Sequence, residues 1–231
     1  TGIYRQYQKK WLKMSFKKNK YTVIKQAISK DLATFIANYF RMQKQVYDTC
    51  RSQRYFSPFE TILGYYEGEN EQIPNTYSQY ANMAMETLLL KCQPDMEKAT
   101  ELKLYPAYTY ARIYKKGDVL KRHKDRFSCE ISTTMNLGGD DWPIYLSPNE
   151  NVGAPNGKDI TAVSKAKGIK VDLKPGDMLV YRGVELEHWR EKFKGKECVQ
   201  VFLHYNNKKT PGSKYNMFDK RPHLGLPSWF K

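Results

Sequence analysis

The chain has 231 residues, with 39 Lys or Arg against 24 Asp or Glu and a formal net charge of +15. That length suits a single domain and buries enough surface to fold without a metal or disulfide framework. Its 40% hydrophobic and 14% aromatic content excludes a disordered basic tail, and its longest uncharged stretch, Gln72 to Met85, is too polar and too short to span a membrane.

Residues 1–30 hold nine Lys or Arg and no acid; Asp31 is the first. A basic arm with Tyr4, Tyr7, Trp11 and Phe16 reads as an amphipathic helix or a segment laid over the body. Such charge suits nucleic acid or simply a solvated surface, and by itself it says nothing of chemistry. Lys20 to Ile28 reads as a strand. Ser29 then caps a helix, with Asp31 in its first turn. Leu32, Phe35, Ile36, Tyr39, Phe40 and Val46 follow helical spacing and define its expected apolar face. Gly64, Gly68, Pro74 and several acids make residues 64–76 a loop. Tyr77, Tyr80, Ala81, Ala84 and Leu88 suggest a second helical stripe, interrupted or restarted at Pro94.

The character changes near residue 104. Tyr108 to Tyr114, Val119 to His123, Cys129 to Leu137, Ile144 to Leu146, Ile169 to Leu173, Met178 to Tyr181 and Glu197 to Tyr205 are short and β-prone. Gly, Pro, Asn and Asp separate them. This spacing predicts a jelly roll or barrel, and helices before strands predict an α+β fold with helices packed on one sheet. The expected organisation is one domain over 1–231: an N-terminal arm and supporting helices (1–103), a core (104–206) and a surface tail (207–231). Cys50, Cys92, Cys129 and Cys198 form no Cys-x-x-Cys pair, which excludes a zinc ribbon and predicts reduced thiols. With no leader-like apolar run, the expected location is the cytoplasm.

His123-Lys124-Asp125 ends a strand-like run. Residues i and i+2 of a strand share a face, so His123 and Asp125 can grip one ion together. His188 is the leading third ligand and His204 the runner-up. Two imidazoles and a carboxylate on one octahedral face hold Fe(II) and leave three positions open.

The surroundings extend the pattern. Tyr114-Lys115-Lys116-Gly117 precedes His123, Leu173-Lys174-Pro175-Gly176-Asp177 makes a turn before a hydrophobic strand, and Lys196 follows His188 by eight residues. This order resembles the 2-oxoglutarate- and Fe(II)-dependent oxygenases, in particular the prolyl 4-hydroxylase-like group, over about residues 104–206. Glu187-His188-Trp189-Arg190 resembles the wording of phage and microbial members. The resemblance implies a double-stranded β-helix with iron inside, held by His123, Asp125 and His188. It implies 2-oxoglutarate and O₂ as cosubstrates, with ascorbate as an accessory reductant. Lys196 then matches the cation for the distal carboxylate of 2-oxoglutarate, with Arg190 as its rival. Tyr114 matches the tyrosine that bonds the same carboxylate.

Strand parity adds candidates. If Lys196 points inward, so do Cys198, Gln200, Phe202 and His204, while Val199, Val201 and Leu203 face the helices. Ser132, Thr134 and Asn136 share one face, which makes Asn136 and Thr134 cosubstrate candidates. The implied reaction is oxidative decarboxylation of 2-oxoglutarate to succinate and CO₂, coupled to hydroxylation. A protein or peptide proline is the first substrate expectation. Arg126, Trp142, Tyr145, Arg182, Trp189 and Arg190 form the expected substrate rim. Leu120 stands where many relatives carry an aromatic, and Gly138-Gly139-Asp140-Asp141-Trp142 departs from their glycine-rich segment. Two rivals draw on the charge: a nucleic-acid-directed oxygenase, and a non-catalytic nucleic-acid-binding module on the same barrel. Gln200 to Tyr205 carries no arginine, which counts against the first.

Overall fold

The computed structural model describes residues 15–57, 59–69, 71–149 and 164–231. The basic segment 1–14 lies outside them. After a helical turn at Phe16–Asn19 come β1 (Tyr21–Ile24) and α1 (Lys30–Ser52). Then follow β2 (Tyr65–Tyr66), β3 (Tyr77–Tyr80), α2 (Met83–Thr100), β4 (Leu104–Lys115) and β5 (Leu120–His123). β6 (Ile131–Gly139), β7 (Ile144–Leu146), β8 (Ile169–Val171), β9 (Met178–Tyr181), β10 (His188–Arg190) and β11 (Glu197–Asn207) complete the set. Every pairing is antiparallel. One sheet runs β1-β9-β6-β11-β4-β3-β2 and the other β5-β10-β7-β8. Strands distant in sequence lie side by side in both, as in a jelly roll. No helix among the described residues is long and apolar enough to cross a membrane.

Ser29 caps α1 by accepting the Leu32 N–H at 3.2 Å. The buried face keeps Ile36 and Phe40 of the expected one but is rotated away from the rest. Ala33, Ile36, Ala37, Phe40 and Tyr47 are buried, whereas Phe35 is 71% exposed and Val46 is also exposed. Small alanines let the helix approach the sheet, where Ala37 meets Gly138 of β6. The large residues beside them are turned outward as a consequence.

The stripe expected from Tyr77 is not helical at its start. Tyr77–Tyr80 pairs with β4 as β3, and the helix begins only after Asn82, whose side chain accepts from Ala84 and Met85 N–H. Pro94 does not interrupt α2, which runs through it to Thr100. Buried Leu89, Cys92 and Met96 hold the helix on both sides of the missing N–H.

β11 divides the interior. Val199, Val201 and Leu203 share an apolar cluster with Ile36, Phe40 and Leu88 of the helices. Cys198 and Phe202 face the other way, among Tyr114, Leu120 and Trp142. The space between the sheets is therefore lined by alternate residues of β4 and β11.

The tail is locked to the body by a buried ion pair. Arg221 donates to both Glu86 oxygens, at 2.7 and 3.3 Å, and to the Ala107 carbonyl at 3.1 Å. Both side chains are at most 2% exposed. Removing one partner leaves the other charge buried alone, at a cost of about 3–5 kcal/mol. Arg221→Met is therefore expected to lower the melting temperature by about 10 °C. A shift smaller than about 2 °C would show that the latch contributes little.

Candidate active site

β5 and β10 pair with His123 directly opposite His188. Their rings lie 4.2 Å apart between centroids. Asp125 follows β5 at the i+2 position, its N–H held by the Gly183 carbonyl at 2.8 Å. Its Oδ1 stands 3.6 Å from His123 Nε2 and 3.5 Å from His188 Nε2. The three donor atoms lie within 4.8 Å of one another.

Three donors each about 2.0–2.2 Å from one ion sit about 3–3.5 Å apart, so the cluster needs little adjustment to hold one. The tautomers fit as well. His123 Nδ1 donates to the Lys121 carbonyl at 2.7 Å and His188 Nδ1 to the Leu186 carbonyl at 3.0 Å. Each bond leaves the Nε2 lone pair facing the centre. Burial pushes the His123 imidazole down to about 4, so it is neutral at pH 7. Burial alone would lower His188 too, but the Asp125 carboxylate outweighs it and raises that group. Burial opposes charge on Asp125, yet His188 holds its carboxyl well below the usual carboxylate range. A cation held there would take the place of the proton that this pair attracts.

A second cluster lies behind the triad. Arg190 follows His188 by two residues on β10 and so shares its face, about 7 Å away along the strand. Arg190 is 1% exposed. It donates to Thr134 Oγ1 at 3.1 Å and to the Trp142 carbonyl, and its guanidinium lies 5.1 Å from the Trp142 ring centroid. The Tyr114 ring packs edge-on to the same Trp142 at 4.8 Å. The Tyr114 hydroxyl and Arg190 Nε are buried without a hydrogen-bond partner. Arg190 pairs with no carboxylate among the described residues, and its burial lowers its proton affinity. A buried cation with no counter-charge can accept an anion.

The cleft in front of the triad has a volume of about 860 Å³. Tyr108, Tyr110 and Arg112 of β4, Phe202 and His204 of β11, and Tyr181 of β9 line it. Arg112 is already paired, with Glu67 at 2.6 Å.

The expected site residues separate clearly. Lys196 is exposed at the turn before β11, its backbone N–H bonded to Asp140 at 2.6 Å. The parity that orients Cys198 and Phe202 does not reach it, because the strand starts at Glu197. Asn136 is consumed by backbone: it donates to the Leu173 carbonyl at 2.8 Å and accepts from Gly138 N–H at 2.9 Å. Thr134 stands beside Arg190. Of the expected rim only Arg126 lines the cleft, over the Tyr108 ring at 4.5 Å. Trp142 supports Arg190 from within. Trp189 faces the other way, stacked on Tyr145 at 5.6 Å under Arg122. Arg182 bonds Glu185 at 3.0 Å and lies outside the cleft. Tyr108, Tyr110 and Arg112 were not among the expected site residues, although they share the parity of Tyr114.

No family model and no curated protein matches the sequence. Solved structures do. The epimerase SnoN in complex with Fe³⁺, α-ketoglutarate and nogalamycin RO superposes with a TM-score of 0.60 at 10% identity, over 92% of this chain and 90% of that one. HygX from Streptomyces hygroscopicus with nickel, 2-oxoglutarate and hygromycin B gives 0.56 at 12%, over 84% and 85%. A Pseudomonas putida prolyl-4-hydroxylase gives 0.49 at 14%, over 84% and 96%, too low a score to bear on the substrate. The structural neighbours are thus non-haem 2-oxoglutarate/Fe(II)-dependent oxygenases, and the chain has their fold.

Proposed function

We propose that the chain is a 2-oxoglutarate- and Fe(II)-dependent oxygenase. The observation that carries this reading is the buried, acid-free Arg190 on the same face of β10 as His188. With a metal held by His123, Asp125 and His188, a five-carbon dicarboxylate would be long enough to reach from it to the Arg190 guanidinium. Arg190 supplies the charge and Tyr114 a hydroxyl donor for the distal carboxylate. Arg112 is spoken for by Glu67, and Lys196 is exposed.

His123, Asp125 and His188 would hold the iron, which would supply O₂ activation coupled to oxidative decarboxylation of 2-oxoglutarate to succinate and CO₂. The protein's own groups orient the reactants. The Nδ1–H bonds of both histidines fix their rings, and Trp142 and Thr134 hold the guanidinium. Tyr108, Tyr110 and Phe202 wall the space left for substrate and exclude water from it.

Hydroxylation of a protein or peptide side chain, proline first, is the substrate reading, supported by the sequence resemblance and by the roughly 860 Å³ cleft in front of the triad. Peptide libraries and small hydroxylatable molecules incubated with enzyme, Fe(II), ascorbate and 2-oxoglutarate test it by mass spectrometry. Peptide products heavier by one oxygen atom are expected. Oxygen incorporation confined to small molecules or to nucleic acid would replace that substrate reading while leaving the oxygenase reading intact.

A further inference from the structure

The third histidine of the core has no task in this chemistry. His204 of β11 is buried and lines the cleft, its ring 4.5 Å from that of Tyr108. Its Nδ1 lies 2.9 Å from Ser132 Oγ of β6. Ser132 Oγ lies 2.9 Å from Asp125 Oδ2. The register explains the meeting, because His204 stands opposite Ser132 across the β6–β11 ladder.

The proton count sets the direction. A serine hydroxyl has one proton and Asp125 is ionised, so a Ser132 lone pair aimed at Oδ2 would be repelled. Ser132 therefore gives its proton toward the carboxylate, with the Cys129 carbonyl at 2.9 Å as its other acceptor. Its oxygen is then free to accept, and His204 Nδ1–H is the donor beside it. Oδ1 is left to face the two histidine ligands, while Oδ2 is tied back.

We infer that His204 is a positioning residue which, through Ser132, holds the Asp125 carboxylate in its metal-binding orientation. This rests on the reading of His123, Asp125 and His188 as a metal site. Partners that orient a ligand in this way are worth about 10–100-fold in metal affinity.

Co(II), stable in air, is the probe, with dissociation constants read by calorimetry and the ligand field by visible absorption. Ser132→Ala and His204→Phe are each expected to weaken Co(II) binding about 10–100-fold, and the double variant no further. His204→Asn places an amide N–H near the position of Nδ1 and is expected to recover affinity to within about threefold of the parent. The melting temperature and far-UV spectrum of each variant separate folding from metal binding. His204→Phe binding as tightly as the parent would overturn the proposal, and so would His204→Asn failing as badly as His204→Phe, since restoring the N–H beside Ser132 would then restore nothing. If His204→Phe does not fold, Ser132→Ala and His204→Asn still decide: parent-like affinity in the first or a large loss in the second overturns it. A parent protein that binds no Co(II) would refute the metal site itself, and the inference with it.

Discussion

Gly183→Ala will strip the metal site without altering a ligand. Gly183 follows β9, its N–H bonded to the Glu130 carbonyl at 3.0 Å and its carbonyl to Asp125 N–H at 2.8 Å. A methyl group there overlaps Asp125 Oδ2, the Cys129 carbonyl and Ser132 Oγ. Backbone lies on both sides, so the carboxylate is the group that moves. Metal affinity is expected to fall about 100-fold or more, at an overpacking cost of about 1–3 kcal/mol in stability. Calorimetric titration with Co(II) checks the first figure and thermal unfolding the second. Affinity within about threefold of the parent would mean that Asp125 does not need its present position.

The second large effect concerns Arg190. Arg190→Met is expected to weaken 2-oxoglutarate binding to the metal-loaded protein by about 2–5 kcal/mol, which is about 30-fold to several-thousand-fold. Lys196→Ala should leave it within about twofold, because that side chain is exposed. The stability effect should have the opposite character. A buried cation with no counter-charge burdens the empty fold, so Arg190→Met is expected to cost the ligand-free protein less than about 1 kcal/mol. Binding of 2-oxoglutarate followed by calorimetry, with unfolding measured alongside, separates the two. Loss of affinity in Lys196→Ala with none in Arg190→Met would reverse the assignment.

These two residues also mark how far the sequence could be read. The His123-Lys124-Asp125 triplet was legible because strand parity places i and i+2 together. The distal His188 was legible from its place after the Pro175-Gly176 turn. Arg190 was visible only as a rival, since the family resemblance favoured Lys196 although it lies close to His188. The chain leaves β10 after Arg190, buries Phe193, and re-enters a strand only at Glu197, so alternation could not orient Lys196. Gly183 carried no local signal at all. Its role comes from a close approach of the segment after β9 to Asp125, which no periodicity encodes.

The fold was legible where strands alternate and less so where helices begin. Met178–Tyr181 and Ile144–Leu146 have the expected bounds, and β11 divides its apolar and inward residues as parity demands. The Tyr77–Tyr80 segment was mistaken for helix because its apolar spacing suits both periods. Asn82, an N-cap residue type, was the signal that the helix starts later. In α1 the buried face joins Ala33 and Ala37 to Ile36, Phe40 and Tyr47, while Phe35 and Val46, which share the apolar spacing, are exposed.

The most direct measurement is succinate formation from 2-oxoglutarate by the protein with Fe(II), ascorbate and O₂, run beside His123→Ala. Slow turnover without added substrate is expected, abolished by the substitution and by removal of O₂. Succinate no higher than in His123→Ala, from protein shown to be folded, would contradict the assignment as a 2-oxoglutarate-dependent oxygenase.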